Sequence, residues 1–311
     1  MTGNKESNFI SAVAYLRDDE ARVAPFLKRL TQVLDAHCQQ YEIILVNDAS
    51  RDGSAKVVKQ FVQQAETAVP VTLVNMSLYQ GVELCMNAGL DLAIGDFLYE
   101  FDSLDTSYDE GLIWRAYETA LTGYDIVSVG PEKSRSLSSR LFYRLFNATS
   151  SSRYPIQTDA FRLVSRRALN RVHAVSPTPA YRKAAYAASG LKVKALYDKS
   201  VGHGADANRP LRWSLAADSL ILYTNAAAKL SFAITGLMLL GTLAELVYTL
   251  AVYLGGGNPV AGWTTTMLVL TVGFFGVFLL LSIILKYLSL LIDITFRHQK
   301  YLVESVEKLQ K

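Results

Sequence analysis

The chain has 311 residues, 50% of them hydrophobic and 19% charged, with a formal net charge of +3. So small a charge excess leaves no electrostatic footprint for nucleic acid, and Cys38 and Cys85 have no metal-ligand spacing. They are expected to be buried free thiols in a reducing compartment. The start, M-T-G-N-K-E-S-N, lacks the apolar core of a signal peptide, so the first domain is expected to stay in the cytoplasm.

Residues 1 to about 125 alternate between strand and helix signals. Phe9 to Tyr15 reads as a strand. Asp18 to Cys38 reads as a helix, with Val23, Phe26, Leu27, Leu30, Val33 and Leu34 at helical spacing. Tyr41 to Val46 is a strong buried strand, Gly53 to Glu66 a helix, Val71 to Asn75 a strand, and Gly81 to Ala93 a helix. Phe97 to Phe101, rich in aromatic residues, is the next strand. This alternation implies a parallel sheet with right-handed crossovers. Neither G-x-G-x-x-G nor a Walker A sequence is present.

Two strand ends carry acids. Phe97 to Phe101 breaks into Asp102, Asp105, Asp109 and Glu110, and the second strand ends at Asn47-Asp48. Acids at the C-terminal edge of an open α/β sheet are placed to meet a ligand, and carboxylate oxygen suits a hard divalent cation that would neutralise a diphosphate. A solvated acidic loop is the plain alternative for Gly95 to Glu110 taken by itself. Asp48 is expected to touch ligand, because it shares the sheet edge with Asp102. Ser50, Asp52 and Gly53 are expected to serve the turn and cap the next helix.

Tyr124 to Val129 is expected to be the last core strand. In S-R-S-L-S-S-R-L-F-Y-R-L-F-N, residues Leu141, Phe142, Leu145 and Phe146 share a helical face beside Arg140 and Arg144. That pattern fits a helix at a membrane surface or an amphipathic core helix. Arg166, Arg167, Arg171, Arg182 and Lys183 read as a solvated face or headgroup contacts, and His203 as a loop histidine. Leu230 to Leu254 and Trp263 to Leu285 are each apolar over a length that spans a bilayer. Glu245 within the first must be protonated, paired or turned to a protein interface. The link Gly255 to Gly262 has no Lys or Arg, while Lys229, Lys286, Arg297, His298 and Lys300 flank the spans. Both termini are therefore expected in the cytoplasm. Arg297 to Lys311 reads as an amphipathic helix that packs on the first domain or on another subunit of a homo-oligomer.

Val46 to Ser54, V-N-D-A-S-R-D-G-S, resembles the V-D-D-G-S-x-D-G-T of the family 2 glycosyltransferases with a GT-A fold. The likeness is to their polyprenyl-phosphate branch, the dolichol-phosphate mannose synthases and undecaprenyl-phosphate glucosyltransferases. Gly81, Glu83, Ala88 to Asp91, Ala93, Gly95 and Asp96 are similar to that branch's G-K-E-x-A-L-x-A-G-L-D-x-A-x-G-D. Leu141 to Asn147 and Phe161-Arg162-Leu163 with Ser165-Arg166 are similar to its F-Y-R-L-x-N and F-R-L-x-S-R. With two C-terminal spans the likeness covers nearly the whole chain. The chain departs from it at Leu104, where Asp-x-Asp has its second acid, with Asp105 one residue late. It departs also at Asn47, Leu16, Arg17, Val82 and Ala160, with Asp159 one residue before Ala160.

The resemblance implies an α/β, mostly parallel GT-A domain over residues 1–214, with interfacial helices at about 135–185. A membrane domain over 215–292, with spans at about 230–254 and 263–285, and a cytoplasmic tail over 293–311 would follow. It implies nucleotide-sugar binding by Tyr15, Asn47, Asp48, Gly81 and Asp102, catalysis by Asp102, Asp159 and Arg162, and Mg²⁺ or Mn²⁺ on Asp102 and Asp105. Asp105 reaches the same ion only if the chain bends after Leu104. The expected partners are a nucleotide sugar, a polyprenyl phosphate and the lipid bilayer of the inner membrane. The expected activity is inverting sugar transfer to that phosphate. A lipid-linked sugar or envelope glycan as acceptor, with Asp159 as base, and a non-catalytic partner of an active transferase are the alternatives.

Overall fold

The computed structural model describes residues 5–65, 69–132, 143–144, 147–148, 154–156, 158–175, 178–179, 181–201, 226–255, 262–296 and 301–309. The expected helix face of Leu141, Phe142, Leu145 and Phe146 lies outside these residues, as do Arg140, His203, Arg297, His298 and Lys300. The chain divides into two compact units, Met1–Ser219 with Arg297–Lys311, and Leu220–Phe296.

The first unit is a mostly parallel sheet with helices on its faces. Strand β1 (Ile10–Leu16) is buried at every position, the mark of a strand covered on both sides. It lies between β2 (Tyr41–Asn47) and β4 (Phe97–Phe101), parallel to both, and β3 (Val71–Met76) runs parallel beside β2. The C-terminal ends of β2 and β4, and with them Asp48 and Asp102, therefore open on one edge. Beyond β4 lie β6 (Phe161–Ser165), antiparallel, then β5 (Ile126–Pro131) and β7 (Val193–Asp198). The expected strand at Tyr124 to Val129 forms as β5, but it is not the last.

Helices α1 (Glu20–His37), α2 (Ser54–Gln64) and α4 (Gly111–Leu121) share one core with Phe26, Tyr99, Phe101 and Phe161. Helix α3 (Val82–Leu92) shares the opposite core with Val13, Tyr15, Ile44, Val46 and Val74. Its Gly89 permits that approach, since a Cβ there would lie 2.5 Å from Val13 and 2.7 Å from Val46. Leu169 of α5 (Arg166–Val175) joins the α3 side, and α6 (Arg182–Ala188) follows. Cys38 and Cys85 are buried free thiols, as expected.

The tail departs from its expected helix. Val303–Leu309 is strand β8, antiparallel to β3 at the sheet edge. Val303, Val306 and Leu309 recur every third residue and so imitate a helix. The unpaired edge of β3 offers a ladder of backbone hydrogen bonds that outweighs this pattern. Asn75 Nδ2 donates to Ser305 Oγ and Glu307 Oε1, each at 3.0 Å, and Lys59 pairs with Glu307 at 2.7 Å.

In the second unit α7 (Ala226–Leu254) and α8 (Trp263–Phe296) pack on one another. Within them Ala233–Leu254 and Trp263–Leu285 are long and apolar enough to cross a membrane. The first, 22 residues at about 1.5 Å each, covers a hydrocarbon core of roughly 30 Å. Leu237, Leu240, Leu254 and Leu280 are exposed on these helices, an outward apolar surface unlike that of a core helix.

Candidate active site

Asp48 follows β2 and is fully buried. One carboxylate oxygen accepts from Gln80 N at 2.7 Å, and the other from Tyr15 OH at 2.8 Å and Gly81 N at 2.9 Å. The carboxylate thus orders the turn that enters α3. Gly81 sits there at φ +87°, a conformation open to glycine without strain. Burial first, and Asp48 second, push the Tyr15 phenol far above its ordinary pKa. Asn47 donates to Asn75 Oδ1 at 2.9 Å and accepts from Ser50 N at 3.1 Å. The structure therefore brings Tyr15, Asn47, Asp48 and Gly81 together, with a correction to the contact expected at Asp48. Its carboxylate is turned into the protein, because buried N–H and O–H donors hold it there more firmly than solvent would.

The loops above these strand ends are strained, with Asp18 at φ +47° and Ala49 at φ +50°. Arg17 donates to the carbonyls of Asp48 and Ala49 and lies 5.0 Å from the Tyr79 ring centroid. Asp52 accepts from Ser54 N at 3.0 Å and Glu20 N at 3.1 Å, the structural part expected of it.

Around Asp102 the chain gathers a network of charges. Glu100 and Arg162 are opposite one another across β4 and β6. Arg162 donates to Glu100 at 2.9 Å, Asp159 at 3.1 Å and Asp102 at 2.5 Å. Arg182 donates to Glu83 at 2.8 Å, to the other oxygen of Asp102 at 2.5 Å, and to Glu100. Tyr186 OH also donates to Glu100, and Lys183 pairs with Asp159. Arg182, Arg162 and Glu100 are buried, whereas the Asp102 side chain is 31% exposed. Burial by itself would raise the Asp102 pKa; Arg162 and Arg182 outweigh it and hold the carboxylate far below its ordinary range. Burial pushes Glu83 the other way, only partly offset by Arg182.

Asp102, Asp159 and Arg162, all expected at the site, thus meet here. Arg182 corrects the reading of a solvated face: among the described residues it is the largest fully buried side chain. Arg166 is likewise tied to protein, at the carbonyls of Gly95 and Ala93, whereas Arg167 pairs with Asp125 from an exposed position, in line with a solvated face. Glu83, Glu100, Arg182 and Tyr186 were missed as site residues. Two signals point to them. An acid inside the apolar run F-L-Y-E-F demands a buried partner, and Arg182 precedes a run of alanines that marks a tightly packed helix.

Beside this network lies a cleft of about 660 Å³, including its open mouth. Asp159, Arg162 and Lys183 make its polar side; Ile126, Val193 and Ala195 make its apolar wall.

Residues 15–186, more than half of the chain, match Glycosyl transferase family 2. The chain belongs to this family. It is 25% identical over 312 residues to the uncharacterized glycosyltransferase sll0501 of Synechocystis, covering 97% of this chain and 96% of that one. It is 30% identical over 124 residues to the undecaprenyl-phosphate 4-deoxy-4-formamido-L-arabinose transferase of Aeromonas hydrophila, 40% of this chain and 37% of that one. Against the bactoprenol glucosyl transferase of Shigella phage SfX the identity is 26%, with 52% and 54% covered. In fold it is similar to a Pyrobaculum calidifontis mannosyltransferase solved with GDP-Man and Mn²⁺ (TM-score 0.54, 17% identity, 93% of this chain and 88% of that one). Its fold is thus GT-A, and this family 2 glycosyltransferase is an enzyme rather than a non-catalytic partner.

The fold relative was crystallised with Mn²⁺, but the residues around Asp102 do not fit a divalent ion. Both Asp102 oxygens are taken by guanidinium groups, and Leu104 is buried in the core. Asp105 is turned to Ser107, accepting from its N at 3.0 Å and its Oγ at 2.9 Å. Among the described residues no three His, Cys, Asp or Glu side chains are grouped to hold a metal. Asp105 is thus engaged in an Asx turn with Ser107 rather than turned to Asp102.

Proposed function

We propose that this glycosyltransferase moves a sugar, with inversion, from a nucleotide-sugar donor to a polyprenyl phosphate at the cytoplasmic face of the inner membrane. The observation that carries this reading is the cleft where Arg162 and Lys183, with Asp159 between them, adjoin an apolar wall. A phosphate on an apolar chain needs both: Arg162 and Lys183 for its charge, Ile126, Val193 and Ala195 for its first carbons. Relatives named for undecaprenyl phosphate and bactoprenol support it, and so do two helices apolar enough for a bilayer.

In this reading the donor lies across the edge above Asn47 and Gly81, with its sugar at Asp102. Tyr15 and Asp48 hold that edge from beneath. The acceptor phosphate is already anionic near neutral pH, so no strong general base is required. Asp159, ion-paired to Arg162 and Lys183, orients these cations rather than taking a proton. Positioning and charge stabilisation supply the acceleration. Residues 1–214 form the catalytic part and 215–292 the membrane part, with both termini in the cytoplasm.

The test is transfer of radiolabel from a panel of nucleotide sugars to membrane lipid by the full-length protein. A labelled lipid released by mild acid is expected, since a sugar on a phosphate is acid-labile. Label in an acid-stable lipid or glycan would overturn the polyprenyl-phosphate acceptor.

A further inference from the structure

We propose that the Arg162–Arg182 clasp takes the place of a divalent cation at Asp102, so that nucleotide diphosphates bind without Mg²⁺ or Mn²⁺. The inference rests on the nucleotide-sugar reading above and concerns how that donor's charge is met.

Geometry carries it. The two guanidinium groups bracket Asp102, one on each carboxylate oxygen at 2.5 Å. Neither is free to swing aside. Arg162 is also tied to Glu100 and Asp159, and Arg182 to Glu83 and Glu100, in a setting where both arginines are buried. An ion on the remaining lone pairs of Asp102 would sit beside two guanidinium groups, like charges that weaken its hold. The position that would offer a second carboxylate is Leu104, and its side chain packs in the core.

The same arrangement favours phosphate. Arg182 Nη2 donates to Asp102, whose side chain is 31% exposed, while Arg162 Nη2 is shared between Asp102 at 2.5 Å and Asp159 at 3.5 Å. Planar forks of this kind match phosphate oxygens. The network sets four carboxylates, Glu83, Glu100, Asp102 and Asp159, against three cations, Arg162, Arg182 and Lys183. Burial raises the Glu83 pKa, partly offset by Arg182.

The experiment is calorimetry of the full-length protein in detergent with UDP, GDP and CDP in turn, in excess EDTA and again with Mn²⁺. At least one nucleotide is expected to bind, with a Kd that differs by less than about threefold between the two conditions. Binding weakened more than about tenfold in EDTA and restored by Mn²⁺ would overturn the clasp while leaving the donor reading intact. Absence of binding in both conditions would overturn both. Electron paramagnetic resonance of Mn²⁺ with the protein alone should show free ion only; a bound signal lost in Asp102→Asn counts against the clasp. Arg182→Lys keeps the charge and loses the fork, and should weaken nucleotide binding about tenfold to hundredfold in EDTA. Arg162→Lys is the parallel variant, and wild-type affinity in both folded variants would sink the proposal. The wild-type comparison of EDTA with Mn²⁺ decides the question even if neither variant folds.

Discussion

Asp48 and Asp102 occupy equivalent places, each just past the end of a parallel strand on the same sheet edge, yet their surroundings differ in kind. Asp48 is held by two backbone N–H groups and one phenol and is sealed from solvent. Asp102 is held by two guanidinium groups and opens to solvent. Neutral donors fix a backbone turn, so the first acid shapes the edge. Two buried cations fix the second acid as a charge at an opening, which is the setting the proposed chemistry needs. Position on a fold does not settle a role; the partners of the side chain do.

The largest expected effect is on the Asp102 side. Arg182→Lys or Arg162→Lys should lower the rate of sugar transfer by about 10²–10³-fold, the usual consequence of removing a preorganised donor from a developing negative charge. Steady-state transfer to lipid measures it, with circular dichroism to confirm folding. Equal rates would dissolve the distinction between the two acids. Next comes Asp48→Ala, which orphans buried N–H donors at about 1–3 kcal/mol each. It should lower the thermal midpoint by roughly 5–10 °C. The folded fraction should bind nucleotide nearly as wild type does. A stable variant that has lost nucleotide affinity would instead make Asp48 a ligand contact.

A smaller effect is expected of Tyr15→Phe, which removes one of the three bonds to Asp48 and costs about 1 kcal/mol. Thermal melting should show it while transfer rate stays unchanged. The smallest concerns acid. Because the Asp102 pKa is held below its ordinary value in the fold, its contribution to stability is full above the ordinary carboxylate range. It is lost as pH falls through the lowered value. Asp102→Asn should therefore flatten the loss of stability below about pH 4, read as melting midpoint against pH. Glu83, with its pKa raised, acts in the opposite sense, so the net slope is shallow.

Much of this was legible in residue order. Y-E-I-I-L-V and F-L-Y-E-F are strands because unbroken apolar runs of that length suit strands buried on both faces. Asp102, Asp159 and Arg162 were found from their motifs, and they meet. Arg182 was not, since the alanines that follow it in Y-R-K-A-A-Y hint at burial but name no partner. Only the partners that α3 and β4 bring to it make burial tolerable. The tail was misread because an apolar residue every third position imitates a helix.

The sequence by itself determined the alternation of strands and helices, the two apolar helices and the acids at the strand ends, because periodicity and hydropathy are local properties of the chain. The tertiary structure alone decided which acids face inward, which arginines clasp Asp102, and that residues 303–309 close the sheet as a strand. Those outcomes depend on hydrogen bonds and ion pairs between residues tens to hundreds of positions apart, and no local pattern encodes a partner at that distance.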